Sequence, residues 1–127
     1  MPEEQPTIVG INHIQIEAPP GCEAAARAFY GHVLGLEEIE KPDHLRKRGG
    51  AWFACGPQQI HIGVTSPFEP RLKGHPAFEV RHLSDWRTRL EASHIPISED
   101  EPLPGWSRFY IADPWGNRIE LLEKMGQ

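Results

Sequence analysis

Apolar positions along this chain follow two spacings. In Ile11-Asn12-His13-Ile14-Gln15-Ile16-Glu17 they alternate as in a half-buried strand, with Ile14 and Ile16 facing one way and His13, Gln15 and Glu17 the other. Gln59–Val64 repeats the pattern, setting His61 with Gln59 and Gly63 against Ile60, Ile62 and Val64. In 75–80, His75, Ala77 and Glu79 oppose Phe78 and Val80; in 118–122, Arg118, Glu120 and Leu122 oppose Ile119 and Leu121. Between these stretches the spacing turns helical. Ala26, Phe29, Tyr30 and Val33 recur within a helix predicted over 22–34, with Glu23 in its first turn and Gly35 as its stop. A second helix is predicted from a Ser84-Asp85 cap to Ser93, with Trp86 and Leu90 one turn apart.

Read in order, the chain predicts a strand over 9–17, the first helix, and strands near 36–40, 50–54 and 59–64. The last two are joined by a turn at Gly56-Pro57. A second pass gives a strand over 75–80, the second helix, and strands at 95–97, 107–112 and 118–123. Asp113-Pro114-Trp115-Gly116 suits a type I turn before the last of them. The order is βαβββ twice. This predicts an α+β fold in which one domain (1–127) contains two modules, 8–64 and 75–124, joined by a linker at 65–74. His13 and His75 open the two modules, 62 positions apart (75 − 13). His61 and Glu120 lie in their last strands, 59 apart (120 − 61). A pseudo-twofold between the modules would bring all four side chains to one place. Pro76 cannot donate to a ladder, so the strand that starts beside it belongs at an edge or an irregular join.

Composition narrows the function classes. The chain of 127 residues is 39% hydrophobic, enough for one compact core, and carries a formal net charge of -5. That sign argues against a nucleic-acid backbone or an anionic membrane surface as partner. No apolar run approaches the length of a membrane span, and Met1–Pro6 lacks a signal-peptide core, so the expected location is cytoplasmic. Cys22 and Cys55 have no metal or disulfide spacing and are expected to be reduced. The 13 prolines punctuate the loops.

Imidazoles and a carboxylate on the polar faces of strands are what a divalent metal needs, so His13, His61, His75 and Glu120 are the candidate ligands. His61 and Glu120 are also candidate catalytic groups, His61 as ligand or as acid–base. Tyr110 shares a face with Arg108 and is a further catalytic candidate, with a packed structural tyrosine as the alternative. Arg108 and the run Arg46-Lys47-Arg48 are either holds for an anionic substrate group or solvated charges. Trp52, Trp106 and Trp115 line a pocket or pack in the core. Glu17 and Glu79 share faces with ligands and are candidates to orient an imidazole. His32, His44, His82 and His94 have neither phase nor repeat relation and are expected at the surface.

Asn12-His13-Ile14, Phe29-Tyr30 and Leu34-Gly35-Leu36 in the first module resemble a known signature. So do Gly74-His75-Pro76-Ala77-Phe78-Glu79-Val80 and the closing run Phe109–Glu120 in the second. In this order they resemble the vicinal oxygen chelate superfamily, which includes glyoxalase I, bleomycin-resistance proteins, fosfomycin-resistance transferases and extradiol dioxygenases. The resemblance implies paired βαβββ modules forming a cupped mixed sheet around a metal (Zn, Ni, Co, Mn or Fe), with ligands at His13, His61, His75 and Glu120, and a homodimer. It implies a small-molecule substrate chelated through two adjacent oxygens, an oxyanion stabilised as it develops, and lyase or isomerase chemistry. An Fe(II) extradiol-type dioxygenase is the alternative enzyme, and a bleomycin-resistance-like small-molecule binding protein the alternative outside enzymes. The chain departs from glyoxalase I at His61, where that enzyme usually has glutamate.

Overall fold

In the computed structural model, which describes residues 5–126, the alternating stretches form two mixed sheets. The first holds β1 (His13–Ala18), β2 (Glu37–Ile39), β3 (Ala51–Cys55) and β4 (Gln58–Val64) in the order β1-β4-β3-β2. The second holds β5 (Ala77–Glu79), β6 (Trp106–Ala112) and β7 (Arg118–Lys124) in the order β5-β7-β6. Each module pairs its opening strand in parallel with its closing strand, β1 with β4 and β5 with β7. That arrangement repeats the sequence order and leaves β1 and β5 as edge strands.

The first helix starts as α1 (Glu23–Ala26) and widens into a π-wound segment, Arg27–Val33, where the Leu34 N–H reaches back five residues to the Phe29 carbonyl at 2.9 Å. The second is α2 (Leu83–Ala92). The apolar faces of both modules meet in one core. Ile16, Phe29, Tyr30, Phe53, Ile60 and Ile62 join Leu83, Leu90, Phe109, Ile111, Ile119 and Leu121 in a single buried cluster. Each such side chain is worth about 1.5–3 kcal/mol of burial.

A polar seam ties the modules beside this core. Buried Asp113 accepts the Tyr30 hydroxyl at 2.8 Å, the Asn117 amide side chain at 2.9 Å and the Asn117 backbone N–H at 2.8 Å. Burial and the Asp113 carboxylate push the Tyr30 phenol well above its usual range, so it stays a donor. Asn117 also donates to the Glu17 carbonyl at the end of β1 and accepts the Arg71 N–H at 2.9 Å. The expected type I turn forms here, closed by Gly116 N–H to the Asp113 carbonyl at 3.0 Å.

The structure corrects four expectations. The first strand starts at His13 and not Val9, because residues 9–12 have no ladder; only the Asn12 carbonyl finds a partner, Gln59 N–H at 3.1 Å. Residues 95–97 are not a strand. Pro96 has no N–H, and pairing begins only at Ser98, an isolated bridge to Tyr110, so the second module is βαββ. The cap of α2 is not Ser84-Asp85: the helix opens after His82, and the Glu123 carboxylate on β7 accepts the His82 and Leu83 N–H groups at 2.8 and 3.1 Å. Asp43–Arg48, for which the sequence predicts no element between the strands near 36–40 and 50–54, is wound into a 3-10 helix. His75-Pro76 does precede an edge strand, as the missing donor requires.

Candidate functional site

The four candidate ligands are brought together as two pairs. On the polar face of the first sheet, register sets Gln15, His61 and Trp52 in one row and His13 beside Gln59 in the next. The His61 ring lies flat between two others, Trp52 at 3.8 Å and 2° and His13 at 4.1 Å and 16°. Its nitrogen Nε2 lies 2.8 Å from Gln59 Oε1. His13 is anchored through Nδ1, 2.9 Å from Asn12 Oδ1, and its Nε2 has no hydrogen-bond partner among the described residues. Burial of His61 first, then the charges of His13 and Lys41, lower its pKa, so the neutral imidazole is favoured, the form that ligates a metal or accepts a proton.

The second pair is polar throughout. His75 Nδ1 lies 2.8 Å from the Lys73 carbonyl, and Nε2 lies 2.9 Å from Glu120 Oε1. Both partners are acceptors, so with Nδ1–H committed to Lys73, Nε2 meets Glu120 either as a second N–H or through a cation between them. Two ligands at right angles on one ion are about 3 Å apart, so the donor set fits a divalent metal. Glu120 is buried, and its other oxygen faces Arg108 Nη1 at 3.4 Å. Arg108 Nη1 also donates to the Tyr110 hydroxyl at 2.8 Å, and the Arg118 guanidinium covers the Tyr110 ring at 3.8 Å. Burial first, then the Glu120 carboxylate, raise the Tyr110 pKa, which keeps it a phenol.

The two pairs do not meet within the chain. Among the described residues no three His, Cys, Asp or Glu side chains converge as a metal site. His75 instead faces a cleft of about 430 Å³ whose first-module wall is Ile14–Glu17, past His13 along β1. The modules join through their apolar faces and the Asp113–Asn117 seam, which sets the edges of β1 and β5 in separate sheets.

The other expected residues divide. His32, His44, His82 and His94 are exposed, and both cysteines are free thiols. Trp52 belongs to the site, whereas Trp115 stacks on Tyr30 at 6.5 Å against the core and Trp106 is half-buried at the start of β6. Glu17 does not orient His13: it is paired to Arg71 at 2.7 Å. Glu79 is exposed and orients no imidazole among the described residues. Asn12, Gln59 and the Lys73 carbonyl hold the imidazoles instead. Two of these were within reach of sequence reasoning, since Asn12 adjoins His13 and Gln59 is the same-face neighbour of His61.

The family model described as Glyoxalase/Bleomycin resistance protein/Dioxygenase superfamily matches residues 10–121. No curated protein matches. Among solved structures, one described as a glyoxalase family protein from Bacillus anthracis is 49% identical with a TM-score of 0.91, over 95% of this chain and 99% of that one. A lactoylglutathione lyase from Agrobacterium tumefaciens is 28% identical with a TM-score of 0.71, over 91% and 94%. A genomically encoded fosfomycin resistance protein from Listeria monocytogenes, 19% identical with a TM-score of 0.74 over 91% of each chain, has a similar fold.

Proposed function

The chain belongs to the glyoxalase/bleomycin resistance protein/dioxygenase superfamily, and from that premise we propose a metal-dependent enzyme of the lyase or isomerase type. Its substrate is a small molecule with two adjacent oxygens. The observation that carries this reading is the pair of half-sites, His13 with His61 and His75 with Glu120, each positioned beside an edge strand and each short of a full ligand set. We propose that a homodimer completes the centre, with His13 and His61 of one copy facing His75 and Glu120 of a second. Exposed Ile8, Val9, Ile11 and Ile14 flank His13 and support a partner surface there.

A divalent ion at these ligands supplies Lewis acidity, which lowers the energy of a developing oxyanion. The chain's own groups do the rest. Asn12 and the Lys73 carbonyl fix the His13 and His75 rings with Nε2 outward. Glu120 contributes the anionic ligand, with Arg108 holding its second oxygen. Tyr110, kept a phenol, donates from its hydroxyl toward negative charge on the substrate. His61, kept neutral, accepts a proton when it is not a ligand.

Mixing tests the reading. A His13→Ala/His61→Ala chain and a His75→Ala/Glu120→Ala chain each lose tight divalent-metal binding alone. Co-refolded, they regain one centre per mixed dimer, about half of all dimers if the chains pair at random, since one of the two cross-copy sites is intact there. No regain, with no metal uptake by the unaltered protein, sinks the proposal. The lactoylglutathione lyase likeness makes a hemithioacetal the first substrate to assay.

One observation favours a second reading. With His61 Nε2 held by Gln59, the groups left are His13, His75 and Glu120, the two-histidine, one-carboxylate set of non-haem iron oxygenases. Fe(II)-dependent O₂ uptake with a catechol selects that reading; its absence, with Ni²⁺- or Co²⁺-dependent turnover, selects the first.

A further inference from the structure

On the polar face of the first sheet a cavity of about 240 Å³ lies under the Asp43–Arg48 helix. Trp52, whose ring covers His61, forms one wall, so the cavity adjoins the first half-site. Lys41, which precedes that helix, and Arg48, which ends it, line the cavity, and among the described residues no aspartate or glutamate does. Among the described residues neither cation has a carboxylate within ion-pair distance, whereas Arg46 between them is taken by Glu40 and Asp43 at 3.7 and 3.3 Å. Lys41 is steadied by a hydrogen bond from Nζ to the Gly49 carbonyl, and its other two N–H groups have no partner among the described residues. Gln15 is laid over Gly63, where a Cβ would come 2.7 Å from Gln15 Cδ; a side chain at 63 would push the carboxamide out of the wall.

Two uncommitted cations and an amide around one small cavity, in a protein of net charge -5, select an anion. We propose that this cavity is an anion subsite for the substrate: it takes a carboxylate or phosphate on a short tail, held by Lys41 and Arg48 with Gln15 as an additional donor, while the substrate's adjacent oxygens reach the metal ligands. The inference rests on the proposed function for where the other end of the substrate lies. It narrows the substrate to molecules that carry an anionic group on a short tail, because the subsite's volume of about 240 Å³ falls below that of a drug-sized ligand pocket.

The test uses three chelators on the Co²⁺-loaded protein, followed by the visible absorbance of the ion. Acetohydroxamic acid presents two adjacent oxygens and no charged tail; succinic acid monohydroxamate adds a carboxylate, and phosphonoacetohydroxamic acid a phosphonate. At least one charged chelator is expected to bind about tenfold or more tighter than the neutral one, and which does so identifies the anion. Arg48→Ala and Lys41→Ala are each expected to remove about tenfold of that advantage, with acetohydroxamate affinity unchanged and Arg48→Lys restoring most of it. Equal binding of all three, or a preference untouched in both alanine variants, overturns the subsite while leaving the metal centre standing. If Co²⁺ does not bind, the proposed function fails separately. The subsite is then read in the metal-free protein, where succinate or inorganic phosphate shifts the Trp52 indole resonance in the unaltered chain and not in Arg48→Ala; no shift with either anion overturns it.

Discussion

The two half-sites hold equivalent positions in the repeat and are built from opposite materials. The first is a stack: Trp52, His61 and His13 lie face to face, steadied by carboxamides, and among the described residues no carboxylate joins them. The second is a charge network, in which His75, Glu120, Arg108 and Tyr110 are linked through hydrogen bonds around a buried carboxylate. Stacking fixes ring planes at little electrostatic cost, and burial favours the neutral form of His61. The network keeps an anion buried only because a cation and donors surround it. The repeat thus supplies matching positions with different chemistry, two imidazoles on one side and an imidazole with a carboxylate on the other.

That contrast can be broken from either side. The largest effect is expected at the network. His75→Ala or Glu120→Ala should lower divalent-metal affinity by more than the about 10–100-fold typical of losing an orienting partner, measured by calorimetric titration. An equal loss in His61→Ala makes the two pairs equivalent as ligands; a small loss in metal with turnover abolished makes His61 the proton-handling group. Next comes Trp52→Ala, which removes a half-buried wall of the stack. A cost of about 2 kcal/mol in urea unfolding is expected, and the His13 and His61 ring resonances should broaden while that of His75 does not. Tyr110→Phe leaves Arg108 one acceptor short and should cost about 1 kcal/mol, without moving the first pair.

The smallest effect is in pH. Glu23 accepts the Gly50 N–H and Glu123 caps α2, and these backbone bonds lower both carboxyl pKa values below their ordinary level. A lowered folded pKa gives stability that is present above the unfolded value, near 4.5, and lost as pH falls through the folded one. Glu123→Gln should therefore flatten the acid side of the melting curve, as should Glu23→Gln. A curve unchanged in both variants removes these caps from the account.

Alternation made Gln58–Val64 and the closing strand legible, because one face of each is fully committed to the core. The proline after His75 forecast an edge strand through its missing donor. The helical wind of Asp43–Arg48 was not legible, since a run of charges has no apolar period to read. The Ile95–Ile97 run has strand-like residues and no partner, so its outcome depended on tertiary pairing. The four candidate ligands were nominated by phase and repeat. Their division into pairs was not, because it depends on how the modules pack. The Trp52–His61 contact required the cross-strand register, which spacing within one strand does not contain.

An internal repeat invites the idea that the chain is two interchangeable pieces that could be cut apart. The linker argues otherwise. Arg71 gives its N–H to Asn117, its carbonyl to the Arg118 N–H and its guanidinium to Glu17, while Tyr30 reaches across to Asp113. A fragment cut at this linker would bare half of a shared core and leave buried Asp113 without its Tyr30 donor. The halves have lost their independence, and the protein is expected to melt in a single calorimetric transition, with neither half autonomous when made alone.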